Sequence, residues 1–227
     1  MKHLIDALRR RRWAHLFVAN LRILLGFGFV PAGLKKILGE PFTDPENVGA
    51  FHDFLDAFHA TGAFYPFVGV VQLIAATLLM TQTYALAGAL MTLPVMTTIL
   101  VFCWSTGVVP TASVVTLMWL GTLGLIAWDV DRWLTIVRAD HVPSPDDRAT
   151  AALIDLSLWR ACGAGILVFY GISCLVHGGV YRPRGVEFDQ PAYYVLIAIV
   201  LFPVVTVVLE RRRRRSSGTI GNQEARP

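Results

Sequence analysis

Two histidines and an aspartate, His52, Asp56 and His59, have residue types and spacing that could do chemistry. At positions i, i+4 and i+7 they share one face of a helix, so two imidazoles and a carboxylate point to the same side. Such a set could bind a divalent metal. The same three residues are equally what the polar face of a surface helix requires, and on that interpretation no metal is bound.

A glutamine, Gln72, lies inside the apolar segment 63–82. Its amide can hydrogen-bond to a neighbouring helix, for which Thr92, Thr97 and Thr98 of the next segment are potential partners. Alternatively, it contacts a lipophilic cofactor with a flat ring, which aromatic side chains would surround. The aromatic candidates for such a site are Tyr65, Trp104, Trp119 and Tyr170. Aromatic rings also form belts at membrane interfaces, which is the alternative explanation for them.

The motifs of soluble enzymes are absent from this sequence. It contains no nucleophile elbow, phosphate loop or nucleotide fingerprint, so no catalytic residue is assigned and an enzymatic activity is left open. Its three cysteines form no CxxC motif. Cys103 and Cys174 fall toward the same membrane side, so they could form a disulfide in an oxidising compartment, or could simply pack as small apolar side chains.

The composition indicates a membrane protein. Of 227 residues, 55% are hydrophobic and 16% charged, with a mean hydropathy of +0.55, whereas soluble domains carry about 25% charged residues. Spanning a bilayer core takes about 20 apolar residues in a helix, since exposed backbone has no partner in hydrocarbon. The segments that qualify are 14–37, 63–82, 84–105, 111–130, 157–177 and 191–209. We therefore predict an all-α, polytopic transmembrane helix bundle.

The basic residues are distributed unevenly between the two predicted membrane sides. Six spans place both termini on one side, which carries 16 of the 20 Lys and Arg residues. The positive-inside rule makes that side cytoplasmic, and we expect the bacterial inner membrane. The run "ERRRRR" after the last span should stop transfer and attract anionic lipids. Nucleic-acid binding is not expected, because the charge follows the membrane face.

Three segments outside the spans complete the predicted organisation. Residues 45–60 should form a helix in the outer interface, with Asp44 as N-cap and Pro45 in the first turn. Its apolar stripe consists of Phe51, Phe54, Leu55 and Phe58. A polar cytoplasmic linker, 134–156, should separate the first four spans from a two-helix extension at 157–210. The basic tail 211–227 has too little apolar surface to fold and should be disordered.

The first span resembles a known family. "RILLGFGFVPAGLKKI" is similar to the first helix of DoxX-like membrane proteins, in which an arginine precedes a glycine-containing helix that ends in a glycine and a basic residue. "FHDFLDAFHATGAFYPFVGVVQLIAATLLM" resembles their extracytoplasmic helix and second span. "YALAGALMTLPVMTTILVF" resembles the third, and "LGLIAWDVDRW" the end of the fourth. The resemblance covers about residues 16–133 and rests on order and spacing.

The resemblance implies a four-helix core at 1–133, to which the two later spans are an addition. It implies structural roles for Arg22, Gly33, Lys36, Pro94 and Asp129. From their positions near the ends of the first span, we expect the side chains of Arg22, Lys35 and Lys36 to reach the lipid headgroups. The chain departs from the family pattern at Gln72, where many relatives carry glutamate, and at Trp128 and Asp131.

Two functions follow as expectations. DoxX-like proteins include subunits that pass electrons to quinone in sulfur-compound oxidation, and partners of oxidative-stress enzymes, so the resemblance implies a quinone-linked redox subunit. The lack of a catalytic constellation favours instead a non-catalytic scaffold, accessory or assembly subunit with a membrane or extracytoplasmic protein partner. A small-solute transporter is the third alternative, although it should show charged midplane residues or broken helix pairs.

Overall fold

The computed structural model describes residues 2–43, 46–130, 153–180 and 191–224, and these form eight helices and no strand. The helices are α1 Lys2–Arg9, α2 Arg12–Ile37, α3 Ala50–His59, α4 Phe64–Met80, α5 Ala85–Ser105, α6 Val109–Trp128, α7 Leu156–His177 and α8 Pro191–Glu224. The predicted all-α class is confirmed. Asp44, Pro45, Asp131 and most of the predicted linker lie outside the described residues.

Five of these helices are long and apolar enough to cross a membrane. They are α2, α5, α6, α7 and the part of α8 at Ala192–Arg215. Helix α4, with 17 residues, is about 25 Å long. It is long and apolar enough to cross a membrane only when it is taken together with α3, from which it is bent by 95°. The chain is therefore a multi-pass membrane protein, with five spans or with six when α4 is counted.

Helices α2 and α4 cross in the core with their backbones touching. A Cβ on Gly33 would lie 2.9 Å from the Gly69 carbonyl oxygen, and a Cβ on Gly69 would lie 2.6 Å from the Gly33 carbonyl oxygen. A side chain at either position would push the helices apart, which is why small residues are common where membrane helices cross. We call the end of the bundle at which α2 begins the inner end, and the other the outer end.

Helix α7 packs on the side of this core, against α2 and α4. Gly163 allows the approach, because a Cβ there would overlap the carbonyl group of Met80 at the end of α4. Tyr170 makes an edge contact with Phe27, with ring centroids 5.3 Å apart, and Trp159 is fully buried. Helix α8 packs mainly on α7, so the two-helix extension lies beside the first four spans.

Helix boundaries differ from the prediction at two places. Helix α3 begins after Gly49, so the predicted start at residue 45 is wrong. Gly49 has a φ of 114°, which is accessible to glycine but strained for other residues. The backbone of α8 is helical as far as Glu224, where the sequence predicts a disordered tail from residue 211. Arginine is a good helix former, so the basic run does not by itself end a helix.

Candidate functional site

Three buried polar side chains at the inner end, Arg22, Gln82 and Asp129, form what we call the inner polar cluster. Arg22 Nη2 donates to Asp129 Oδ2 at 2.6 Å, and Arg22 Nη1 donates to Gln82 Oε1 at 3.3 Å. The side chains of the ion pair are only 9% and 8% exposed. Arg22 therefore does not extend to the headgroups as predicted, because its guanidinium is held inside the bundle.

Gln82 is the member of this cluster that the sequence did not single out. It lies in the turn between α4 and α5 with a φ of 61°, and no other non-glycine residue in the described ranges has a positive φ. Its Nε2 donates to the Ala19 carbonyl oxygen at 3.2 Å, while its Oε1 accepts from Arg22. Such a backbone conformation persists where the surroundings fix it. These hydrogen bonds tie the turn to α2.

A second polar cluster surrounds Glu210, which is fully buried near the inner end of α8. Its Oε1 accepts from Arg12 Nη2 at 3.2 Å, from Arg214 Nε at 3.3 Å and from the Asp155 amide at 3.3 Å. Its Oε2 accepts from Trp159 Nε1 at 3.2 Å. One carboxylate thus joins α2, α7 and α8. The sequence signal that could have found it is a single acid at the end of an apolar span.

Asp155 caps the start of α7 beside this Glu210 cluster. Its Oδ1 accepts from the Ser157 and Leu158 amides at 3.1 and 3.4 Å, as an N-cap side chain does. The pKa of Asp155 is lowered, chiefly because the Ser157 hydroxyl donates to it, helped by the cap amides and by Arg213 at 3.1 Å; partial burial opposes the shift. The charged form of Asp155 therefore stabilises the inner end of α7.

Gln72, the predicted cofactor or packing residue, is 2% exposed between the helices of the core. Its Oε1 has no hydrogen-bond partner among the described residues, and neither has the Thr92 hydroxyl. The predicted bonds from Gln72 to the threonines of α5 are absent from the described part of the chain. Thr97 instead accepts from Trp119 Nε1 at 2.9 Å, and Thr98 donates to the Pro94 carbonyl oxygen at 3.0 Å within α5.

The aromatic candidates lie at separate contacts. Trp119 and Trp104 both connect α5 with α6, the latter by donating to Thr116 Oγ1 at 3.1 Å. Tyr170 is buried between α7 and α2. Trp104 and Trp119 lie between α5 and α6, whereas Tyr170 lies between α7 and α2, so these rings do not line one common pocket. Two surface depressions of the described chain, of about 290 and 620 Å³, are lined by none of them.

The polar face of α3 is used for local hydrogen bonds. Thr43 donates its hydroxyl to Asp56, and His59 Nε2 donates to the Gly39 carbonyl oxygen at 2.9 Å. His52 Nδ1 is buried without a partner in the described structure. Within those ranges, no three His, Cys, Asp or Glu side chains come together as a metal site would require. Asp56 and His59 instead attach α3 to the segment that follows α2.

The apolar stripe of α3 packs on the outer ends of α4 and α5. Phe51 stacks on Phe102 with ring centroids 5.1 Å apart, and Phe54 approaches the same ring at 4.4 Å. Phe58 makes an edge contact with Tyr65 at 5.0 Å. Phe54 remains 51% exposed. Helix α3 therefore covers the outer end of the bundle and still presents an aromatic edge.

Lys35 and Lys36 differ from the expectation that their side chains reach the lipid headgroups. Lys35 and Lys36 are both 7% exposed, so they do not extend freely from the outer end as interfacial anchors would. Lys36 Nζ lies 4.2 Å from the centre of the Phe42 ring.

Cys103 and Cys174 are both free, so the structure contains no disulfide between them.

The chain matches no family model, no curated protein and no solved structure. The resemblance to DoxX-like proteins remains a prediction from the order and spacing of segments.

Proposed function

We propose that this chain is a DoxX-like, non-catalytic accessory or scaffold subunit that holds a protein partner at the membrane. One observation carries the proposal: the buried ionic groups at the inner end of the bundle bond helices to one another. Arg22 binds Asp129 and Gln82, and Glu210 binds Arg12 and Trp159. Removing one member of a buried ion pair is strongly destabilising, so such groups serve to fix helix positions.

The outer aromatic surface, defined by Phe54, Phe64 and Phe67, is the proposed contact for the partner. These rings are 51%, 55% and 60% exposed, and they continue the stacked rings of α3 and α4. Aromatic side chains are enriched at protein interfaces because they bury much area with few rotatable bonds. A partner with a membrane-proximal or extracytoplasmic domain fits this position.

Purification of the tagged full chain in mild detergent tests this proposal. Phe64→Asp combined with Phe67→Asp, which leaves the packing of Phe54 on Phe102 in place, should abolish stoichiometric co-purification of a protein, at unchanged amounts in the membrane. Val48→Asp is the matched control, because Val48 is exposed beside α3 and its aliphatic side chain has no ring to stack on the aromatic surface. The proposal fails if the wild-type chain retains no partner, or if the aromatic variant retains it as well as the control does.

A quinone-linked redox subunit is the second candidate, favoured by the unpaired polar atoms of Gln72 and Thr92. A buried acceptor without a partner costs about 1–3 kcal/mol, which a ligand hydroxyl could recover. Organic extraction of purified protein would test this, with Gln72→Leu compared to Thr97→Val. Stoichiometric quinone that is lost only in Gln72→Leu would favour the redox role, and its absence from the wild type would exclude it.

The placement that the charge pattern supports is the bacterial inner membrane, with both termini cytoplasmic. The Arg12 to Glu210 contact brings the start of α2 and the last part of the apolar α8 segment to one end of the bundle. The exposed arginines at 10, 11 and 211–215 surround that end. An even number of spans, with α4 as the sixth, agrees with this arrangement and with the positive-inside rule.

A further inference from the structure

We propose that the outer ends of α2 and α4 bind one anionic phospholipid, with its phosphate at Lys36 and an acyl chain in the adjacent groove. This site lies at the opposite end of the bundle from the basic residues of α1 and α8. It involves neither the outer aromatic surface nor Gln72, so it stands independently of the function proposed above.

The first observation is a buried ammonium group without a carboxylate. Lys36 is 7% exposed, and its only hydrogen bond in the described structure goes to the Ala32 carbonyl oxygen of its own helix at 3.3 Å. No described carboxylate lies within ion-pair distance of its Nζ. A buried charge is costly unless paired and fully hydrogen-bonded. An anion bound at this point would supply the opposite charge and the hydrogen-bond acceptors that the described residues do not provide.

The second observation is the arrangement of aromatic rings about this ammonium group. Phe42 lies 4.2 Å from Lys36 Nζ and 5.3 Å from Lys35 Nζ, measured to the ring centre. Tyr65 lies 5.9 Å from Lys36 Nζ, and its hydroxyl donates to the Glu40 carbonyl oxygen at 2.7 Å. Cation–π contacts hold the Lys36 side chain in place but leave donors of the ammonium group unused. Lys35 Nζ and Lys36 Nζ thus both lie against the Phe42 ring at the outer end of the bundle.

The third observation is an apolar groove of about 290 Å³ directly below these lysines. Its lining residues are Ile37, Val70, Leu73, Ile74, Thr77 and Leu78. Those from α4 recur at helical spacing along one face and extend over about 12 Å. Val70 and Ile74 are 44% and 45% exposed to the surroundings of the bundle, which in a membrane are the lipid tails.

The lysine and the groove meet at Gly69. A Cβ there would lie 2.8 Å from Lys36 Cβ and 3.1 Å from Ile37 Cγ1. The side chains of Lys36, which carries the ammonium group, and of Ile37, which begins the groove, therefore both leave α2 at the level of Gly69 in α4. A ligand that spans both must carry a negative head and an apolar tail, in that order, from the outer interface inward. An anionic phospholipid of the outer leaflet has this chemistry.

Native mass spectrometry of the delipidated full chain in neutral detergent tests the site, with phosphatidylglycerol and phosphatidylcholine of identical acyl chains as probes. One phosphatidylglycerol should bind with clear preference over phosphatidylcholine. Lys36→Gln should weaken that binding roughly tenfold, since it removes a charge-assisted contact. Lys36→Arg should retain it, and the exposed inner-end control Arg212→Gln should leave it unchanged.

Filling the groove gives an independent variant should Lys36→Gln fail to fold. Ile74→Trp should lower phosphatidylglycerol binding while leaving both lysines in place. The proposal is overturned if both lipids bind equally, if Lys36→Gln and Ile74→Trp both bind like the wild type, or if Arg212→Gln loses binding to the same extent. Displacement of the lipid by excess inorganic phosphate would also overturn it, because the site would then recognise a free anion.

Discussion

Arg12 Nη2 lies 3.2 Å from Glu210 Oε1, although 198 residues separate them along the chain. The contact joins the first span to the last, and the Glu210 side chain is 1% exposed while the Arg12 side chain is 34% exposed. Glu210 also accepts from Trp159 Nε1, Arg214 Nε and the Asp155 amide, so more hydrogen bonds depend on Glu210 than on Arg12. This asymmetry leads to the first prediction.

Glu210→Leu should lower the stability of the protein more than Arg12→Leu does. Loss of the carboxylate leaves the Trp159 indole and the Asp155 amide without an acceptor, whereas loss of Arg12 leaves Glu210 with its remaining donors. We expect about 2–6 kcal/mol for the first change, because each of the two donors left without an acceptor costs about 1–3 kcal/mol, measured by thermal unfolding in detergent. Arg212→Leu, an exposed neighbour in α8, should change stability by less than about 0.5 kcal/mol.

The Arg22 and Asp129 pair should behave as a coupled unit in a double-mutant cycle. Each single change to leucine breaks the bond between Arg22 and Asp129 while the other charge stays buried, so each should cost about 3–5 kcal/mol. The double variant should lose clearly less than the sum, because neither charge remains. Additive losses in thermal unfolding would show that the two side chains do not interact in the membrane protein.

Helix α3 should be held mainly by its phenylalanines. Phe54→Asp with Phe58→Asp removes the contacts to Phe102 and Tyr65. Fully burying such a ring is worth roughly 1.5–3 kcal/mol, of which Phe54, at 51% exposure, contributes only a part. Hydrogen exchange of the α3 amides should then become fast. His52→Ala with His59→Ala removes one bond to Gly39 and should change exchange much less. Equal effects of the two pairs would show that the polar face is the more important attachment.

The Asp155 cap should make stability depend on acid pH. Its pKa in the folded protein is below its ordinary value of about 3.9, so its contribution is fully present above that value. The contribution is lost as the pH falls through the lowered folded-state pKa. The difference in melting temperature between wild type and Asp155→Asn should therefore shrink toward low pH. A constant difference would show that the charge of Asp155 contributes nothing.

Cysteine labelling in a variant without native cysteines should establish the orientation. Val48→Cys, beside α3, should react with a membrane-impermeant reagent added from outside. Arg212→Cys should react only after the cytoplasmic side is opened, since the basic residues surround that end. The reverse pattern would invert the proposed topology. Labelling of both positions from the same side would contradict six spans.

The helices themselves could be predicted from the sequence because an apolar stretch of sufficient length must be helical in lipid, which is a local property. The partners of Arg22 and Glu210 could not, because they depend on which helix ends meet in three dimensions. Glu210 ends an apolar span just before five arginines, and Gln82 stands in a short polar turn, so neither position indicates which helices its side chain would contact.

The errors at Gln72 and at the start of α3 have different physical origins. The order of the helices suggests threonine partners for Gln72. Whether these side chains meet depends on how each helix is rotated about its own axis, which the sequence pattern does not specify. Capping preferences at Asp44 and Pro45 suggest an early start for α3, whereas the positive φ of Gly49 starts the helix five residues later.

The close approach of Gly163 to the Met80 carbonyl has a consequence for biogenesis. Translation proceeds from the N-terminus, so α2 to α6 emerge from the ribosome before α7 exists. During that interval the end of α4 lacks the neighbour that covers it in the finished protein. The first four spans are thus an assembly intermediate with one uncovered flank, open to lipid or to an insertion factor. A chain that is truncated before α7 should remain in that state and be degraded faster than the complete protein.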